Sequence, residues 1–245
     1  MKKLALIFFI LLIPSCTQNY NWGWYILNPS LDSGFSNLQF LLSGLSITIS
    51  ISLLSIFFSL LIGFFVSLLV MSPTKIFIWI NRFYIEIFRS VPLLVLLLWV
   101  YYGLPVIFGI SFGPFVAGII SLAISDSAFE AEIFRAGLQS INKGQRDAAK
   151  SIGLNKYQEM RYIILPQALR IILPAIGNQF VYVLKMSSLV SIIGLADLTR
   201  KANELVVSVY RPLEVYTFLV FEYLILILII SFFVRKLEKK LKINL

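Results

Sequence analysis

From Leu41 to Met71 the chain carries no charged side chain. That run is longer than the roughly 20 residues an α-helix needs to cross the hydrocarbon of a bilayer. In lipid the backbone must satisfy its own hydrogen bonds, so the run predicts a tilted membrane helix with interfacial ends. Four more apolar stretches follow, at about 92–107, 115–133, 171–195 and 213–234. Together they predict an all-α polytopic membrane protein of about five transmembrane helices in one domain, 41–234. Composition agrees: 59% of residues are hydrophobic and 13% charged, where a soluble domain is about half apolar and about a quarter charged. Ser46, Ser50, Ser52, Ser55, Ser59 and Gly63 recur through the first run, and small residues of this kind let helices pack closely in lipid.

The flanks suggest a leader. Lys2 and Lys3 precede an apolar run, Leu4 to Ile13, too short to span, followed by Pro14, Ser15 and the sole cysteine, Cys16. This pattern predicts a signal-like leader over 1–16; an uncleaved interfacial anchor is the other reading. A small residue before Cys16 also resembles a lipoprotein cleavage site, which makes Cys16 a candidate for lipidation. Residues 17–40, with Trp22, Trp24 and Tyr25, read as a short external lead-in whose rings settle at headgroup level.

Several function classes drop out. One cysteine and no histidine exclude a disulfide framework, a Cys/His metal site and a histidine-based triad. No phosphate-binding G-x-x-x-x-G-K-[ST] loop is present, so any ATP hydrolysis belongs to a partner and no residue is a catalytic candidate. The net charge of +9 is no sign of nucleic acid, because the basic residues sit at the ends of apolar spans. Fifteen Lys and Arg fall in the loop after the first span, the loop from Arg135 to Arg170 and the tail 235–245; three, Arg200, Lys201 and Arg211, fall on the other side. The positive-inside rule therefore predicts a cytoplasmic C-terminus, and five spans then place the N-terminus outside.

The longest basic loop contains DAAKSIGLNKYQEMRYIILP, Asp147 to Pro166. Two alanines with a glycine four residues on give a short helix a bare face that another protein's groove can approach closely. Asp147 suits the first turn of such a helix, Gly153 its end, and Asn155 the cap of the next. Asp147, Ala148, Ala149, Gly153, Ile163, Leu165 and Pro166 also stand at the spacing of the EAA loop that membrane subunits of ABC importers insert into their ATPases, with Asp in place of the usual Glu. Around it, Tyr84 to Arg89 running into Val91–Leu94, Tyr102 to Pro105, Ala128 to Arg135, Pro166 to Arg170 and Ser188 to Gly194 resemble the permease subunits of polar amino-acid importers. The chain departs from them at Leu96, where Gln is common, and at Met186, where Asp commonly follows the lysine.

The resemblance implies a type I ABC importer permease fold with a cytoplasmic coupling loop, 143–166. In it Asp147, Ala148, Ala149, Gly153, Leu165 and Pro166 meet the ATPase. It further implies transport of a polar amino acid of the glutamine, glutamate, histidine or arginine class. The implied partners are a cytoplasmic ABC ATPase dimer, an external solute-binding protein and a second permease subunit. ATP is then the partner's; this chain binds no cofactor or metal. The implied location is a bacterial inner membrane.

Charges within spans are costly in lipid and are functional candidates. Here they are Asp126, Glu130, Lys185 and Glu222. Asp126 and Glu130, four apart, share a helix face, and Glu132 points away from it, three residues from Arg135 as in an exposed ion pair. Lys185 matches Asp126 in depth, so either Asp126 or Glu222 pairs with Lys185, or the carboxylates line a substrate pathway and meet a cationic group. These charges also motivate a rival reading as a secondary transporter or channel.

Overall fold

The computed structural model describes residues 20–70 and 74–241; the leader with Cys16 lies outside them. A short 3-10 turn, Trp24–Leu27, leads into α1 (Asp32–Leu42) and α2 (Leu45–Leu69). Next come α3 (Lys75–Ser90), α4 (Leu93–Phe108), α5 (Pro114–Gln139) and the short α6 (Lys143–Ser151). The long α7 (Lys156–Ile193), α8 (Leu198–Val209) and α9 (Pro212–Leu241) complete the chain. Four helical stretches, one of them α1 and α2 in sequence, are long and apolar enough to cross a membrane. There are up to five when α3 and α4 count as one broken span, bent by 97°.

The loop expected after the first span is corrected here, and two details come from the structure alone. The basic stretch after the first span is a helix, α3, amphipathic and tucked against α2 by a hydrogen bond from the Asn81 side chain to the Val66 carbonyl, 2.7 Å. The second span is not one smooth helix, because a π turn at Trp99–Gly103 interrupts α4. The polar connection between the last two spans is helical too: the Asp197 side chain caps α8 by accepting from the Arg200 amide at 2.9 Å.

The packing centre is the seam between α2 and α5. Thr48, Ser52, Ser55, Ser59, Gly63 and Ser67 are buried and recur every three or four residues, so they line one face. Ser46 and Ser50, expected in this set, are exposed. The facing helix supplies Ala117, Gly118, Ser121, Ser125, Ala128 and Ala131. A Cβ at Gly63 would lie 2.6 Å from the Glu130 Cβ, and one at Gly118 would lie 2.7 Å from Ile51. The hydroxyls do not waste polarity: Ser52 donates to the Thr48 carbonyl and Ser121 to that of Ala117, both at 2.7 Å. The opposite face of α2 exposes Phe57, Phe58, Leu61, Phe64 and Phe65. Small and polar residues inside with large apolar ones outside is the arrangement lipid selects.

At one end, the first described residues are held to the start of α9. Buried Glu214 accepts from the Tyr20 hydroxyl and the Gly23 amide, and Arg211 reaches the Asn21 carbonyl at 2.8 Å. Thr48 Oγ1 accepts from the Leu198 amide, 3.2 Å away, joining α2 to α8. At the other end Ile141, Ile164, Ala168 and Ile172 form a separate apolar cluster that holds α6 beneath α7.

The seam makes a sharp prediction. Gly63→Leu overfills it, at a cost of about 1–3 kcal/mol or more, and should lower the yield of folded, detergent-stable protein. Leu61→Ala, on the lipid face, should leave that yield unchanged. Equal yields for the two variants would count against the close α2–α5 contact.

Candidate functional site

Two constellations stand out, one at the basic end and one inside the helix packing. The first is the α6 hairpin. Its helix begins earlier than the sequence suggests: Asn142 caps it by accepting from the Gly144 amide at 2.9 Å. Asp147 is therefore mid-helix and not in the first turn. It is exposed and 4.0 Å from Lys150, both side chains being well over half exposed, so that pair contributes little. The two alanines diverge. Ala148 faces out, whereas Ala149 is 2% exposed and packs inward.

Gly153 ends the helix as expected. Its φ is +80°, its amide donates to the Lys150 carbonyl at 2.9 Å, and the next amide, Leu154, donates to that of Ala149 at 3.1 Å. These two bonds are those of a Schellman cap, whose left-handed residue favours glycine. Asn155 then opens the following turn in a reciprocal capping box with Gln158. A π turn, Glu159–Ile164, carries the chain into the regular part of α7, where Leu165 and Pro166 are exposed at the first turn. Ile152, Tyr157 and Tyr162 are 75%, 67% and 62% exposed. The hairpin thus offers apolar side chains outward while its base is anchored by Ile141 and Ile164.

The second constellation centres on Asp126 of α5, which is 3% exposed. Ser59 of α2 donates to its Oδ2 at 2.6 Å and Gln179 of α7 to its Oδ1 at 2.5 Å. One carboxylate therefore joins three helices. Glu130, one turn further along and fully buried against Gly63, has neither carboxylate oxygen hydrogen-bonded among the described residues. The Tyr84 hydroxyl and Ser127 Oγ are 2.6 Å apart beside it, and the Phe129 and Tyr182 rings meet at 6.3 Å between centroids.

The expected ion pairs to Lys185 do not form. Lys185 is exposed and has no acidic partner among the described residues. It lies six residues beyond Gln179, about 9 Å further along the helix at 1.5 Å per residue, and neutral donors occupy the carboxylate instead. Glu222 in α9 is partly buried, and its oxygens also lack a partner among the described residues. Glu132 behaves as read from sequence and gains a second cation: Arg135 lies 2.7 Å away and Arg89 2.9 Å. In sequence Ser59 reads as a small packing residue and Tyr84 as part of a family-like stretch, and neither pattern points to the carboxylates they adjoin. Gln179 is marked only by its polarity inside an apolar run.

Comparison with known proteins gives the family. Residues 59–243 match the family model described as the binding-protein-dependent transport system inner membrane component. The chain is 36% identical over 218 residues to the arginine transport system permease protein ArtQ of Bacillus subtilis, covering 89% of this chain and 100% of that protein. It is 35% identical over 207 residues to the glutamine transport system permease protein GlnP of Escherichia coli, covering 84% and 94%. Among solved structures it is similar to a chain of an amino acid ABC transporter with histidines, at 40% identity and a TM-score of 0.81, covering 85% of this chain and 97% of that one. A chain of the MetNI methionine ABC transporter, at 24% identity and a TM-score of 0.72, shares the fold. The chain belongs to the family of binding-protein-dependent transport system inner membrane components, as an amino-acid-type ABC permease component.

Proposed function

We propose that this chain is the transmembrane subunit of an ATP-driven importer for polar amino acids, forming the pathway and coupling it to a separate ATPase. The observation that carries this reading is the α6 hairpin: an exposed helix closed by a left-handed glycine, showing Ile152, Tyr157 and Tyr162 outward and bolted at its base to α5 and α7. In this role Asp147, Ala148, Gly153, Leu165 and Pro166 face the ATPase groove. Ala149 acts from within, letting the hairpin sit close on its own span. ATP is bound and hydrolysed by the partner. An external solute-binding protein delivers the substrate, and a second permease subunit, identical or related, completes the pathway.

The charge distribution supports a cytoplasmic hairpin and C-terminus in a bacterial inner membrane, with the N-terminus outside. The contacts are consistent with this, since the Tyr20–Glu214 latch and the α6 hairpin lie at opposite ends of the helices. Asp126 and Glu130, supported by Gln179, are the candidate contacts for a substrate's ammonium or cationic group; Lys185 and Glu222 are secondary candidates. Carboxylates held in a dry helix packing attract a desolvated cation far more strongly than water-exposed ones do. Buried polar residues serve a secondary transporter or channel equally well, but neither has use for the protruding hairpin. Transport by the reconstituted complex that proceeds undiminished without ATP would favour that rival.

Three outcomes are expected. Gly153→Arg forces a long side chain into the left-handed conformation and onto the docking face. Membrane levels should hold while ATPase co-purification falls at least about tenfold, equivalent to roughly 1.4 kcal/mol, and uptake is lost. Wild-type co-purification with intact uptake would sink the coupling role. A fluorescent protein fused after Leu245 should be active in the cytoplasm, whereas activity confined to a periplasmic reporter would invert the topology. Asp126→Asn and Glu130→Gln, in the complex with ATPase and binding protein, should each change substrate preference in competition uptake. Unchanged transport and preference in both would remove them from the pathway, and failed assembly would make Asp126 a structural tie.

A further inference from the structure

The Gly153 hairpin and the Asp126 node leave unused a concentration of guanidinium groups behind α3. A cavity of about 330 Å³ lies there, and one of about 300 Å³ adjoins it among α2, α5 and the hairpin, with Val70 and Arg135 as a common wall. The first is lined by Arg82, Arg89 and Arg135 with Glu86 and Glu132, over an apolar floor that includes Ile78 and Ile85. The second adds Arg146. Glu132 is already engaged by Arg89 and Arg135, and Arg146 donates to the Leu138 carbonyl at 3.0 Å. Arg82 is exposed and makes no ion pair among the described residues. Four guanidiniums against two carboxylates leave the lining cationic.

The surroundings say what kind of anion reaches it. α3 is bent 97° from α4, so when α4 crosses the membrane α3 lies along its surface, about 24 Å long at 1.5 Å per residue. The outer side of α3 exposes Ile76, Phe77, Trp79, Ile80 and Phe83, with the Trp79 and Phe83 rings stacked 5.2 Å apart. An amphipathic helix of this kind beds its apolar side at the headgroup boundary. The cationic cavity behind α3 therefore opens at the depth where lipid phosphates lie, next to a surface suited to acyl chains.

We propose that the cavity behind α3 binds the phosphate of an anionic phospholipid from the leaflet at the basic end, with Arg82 and Arg135 as the guanidiniums that meet it. A lipid held there bridges α3 to the end of α5, because Arg135 belongs to α5 and Arg82 to α3. A guanidinium presents paired N–H donors to phosphate oxygens, which a lysine cannot reproduce.

The test is native mass spectrometry of the permease purified with its ATPase and offered equal amounts of phosphatidylglycerol and phosphatidylcholine. The wild type should retain phosphatidylglycerol preferentially. Arg82→Gln should reduce that retention about fivefold, the usual weight of one basic group at a membrane surface, without changing phosphatidylcholine. Arg82→Lys should restore part of it, and Lys239→Gln, an exposed cation on the tail, should change nothing. Arg82 is exposed, so its replacement leaves the packing intact, which an unchanged elution volume would verify. Equal retention of the two lipids, or equal phosphatidylglycerol retention by wild type and Arg82→Gln, would overturn the proposal. Displacement of the bound lipid by millimolar inorganic phosphate would also overturn it, by assigning the cavity to a soluble anion.

Discussion

Between helices in hydrocarbon there is no water to expel, so close van der Waals contact has to hold the bundle together. The α2–α5 seam is where this chain meets that constraint. Gly63 sits against Glu130 and the α5 backbone with no room for a side chain, Gly118 lies close under Ile51, and serine hydroxyls fold back onto their own backbone. The close approach also brings Ser59 within reach of Asp126, to which α7 adds Gln179. A seam built for contact thereby becomes a place where a carboxylate can be held in a dry site.

The hairpin end is made differently. Ile141, Ile164, Ala168 and Ile172 form a cluster separate from the main core, so the hairpin is attached to its spans by its own apolar joint. Phe134 and Leu138 of α5 and Met160 and Ile176 of α7 pack against that cluster, so α6 is tied to both spans. Ala149 is buried at the contact, which lets the hairpin sit close on its spans. Ile152, Tyr157 and Tyr162 stay outside the joint.

Most of the architecture was legible because lipid is a strict solvent. Uninterrupted apolar length gave the spans, and the basic loops gave their ends. Gly153 and Asn155 were readable because a left-handed turn and a helix cap each admit few residue types. Asp147 reads as a first-turn residue because the true cap, Asn142, lies five residues upstream and outside the Asp147–Pro166 motif. The helix α3 reads as a loop because its charges, Lys75, Arg82 and Arg89, mark it as polar, whereas its period places Asn81 and Ile85 on the buried side. The partners of Asp126 could not be read at all. Depth along a helix suggested Lys185, but which neutral side chains surround a carboxylate depends on how three helices rotate against one another.

The π turn at Glu159–Ile164 has a consequence for how this protein tolerates change. A π turn holds one more residue than an α turn, so it takes up surplus chain without forcing the helices on either side out of phase. Here it lies between the hairpin and the span that carries Gln179. The hairpin can therefore lengthen or shorten by a residue over evolutionary time while Gln179 keeps facing Asp126. The length of the hairpin is thereby insulated from the register of the three-helix tie at Asp126.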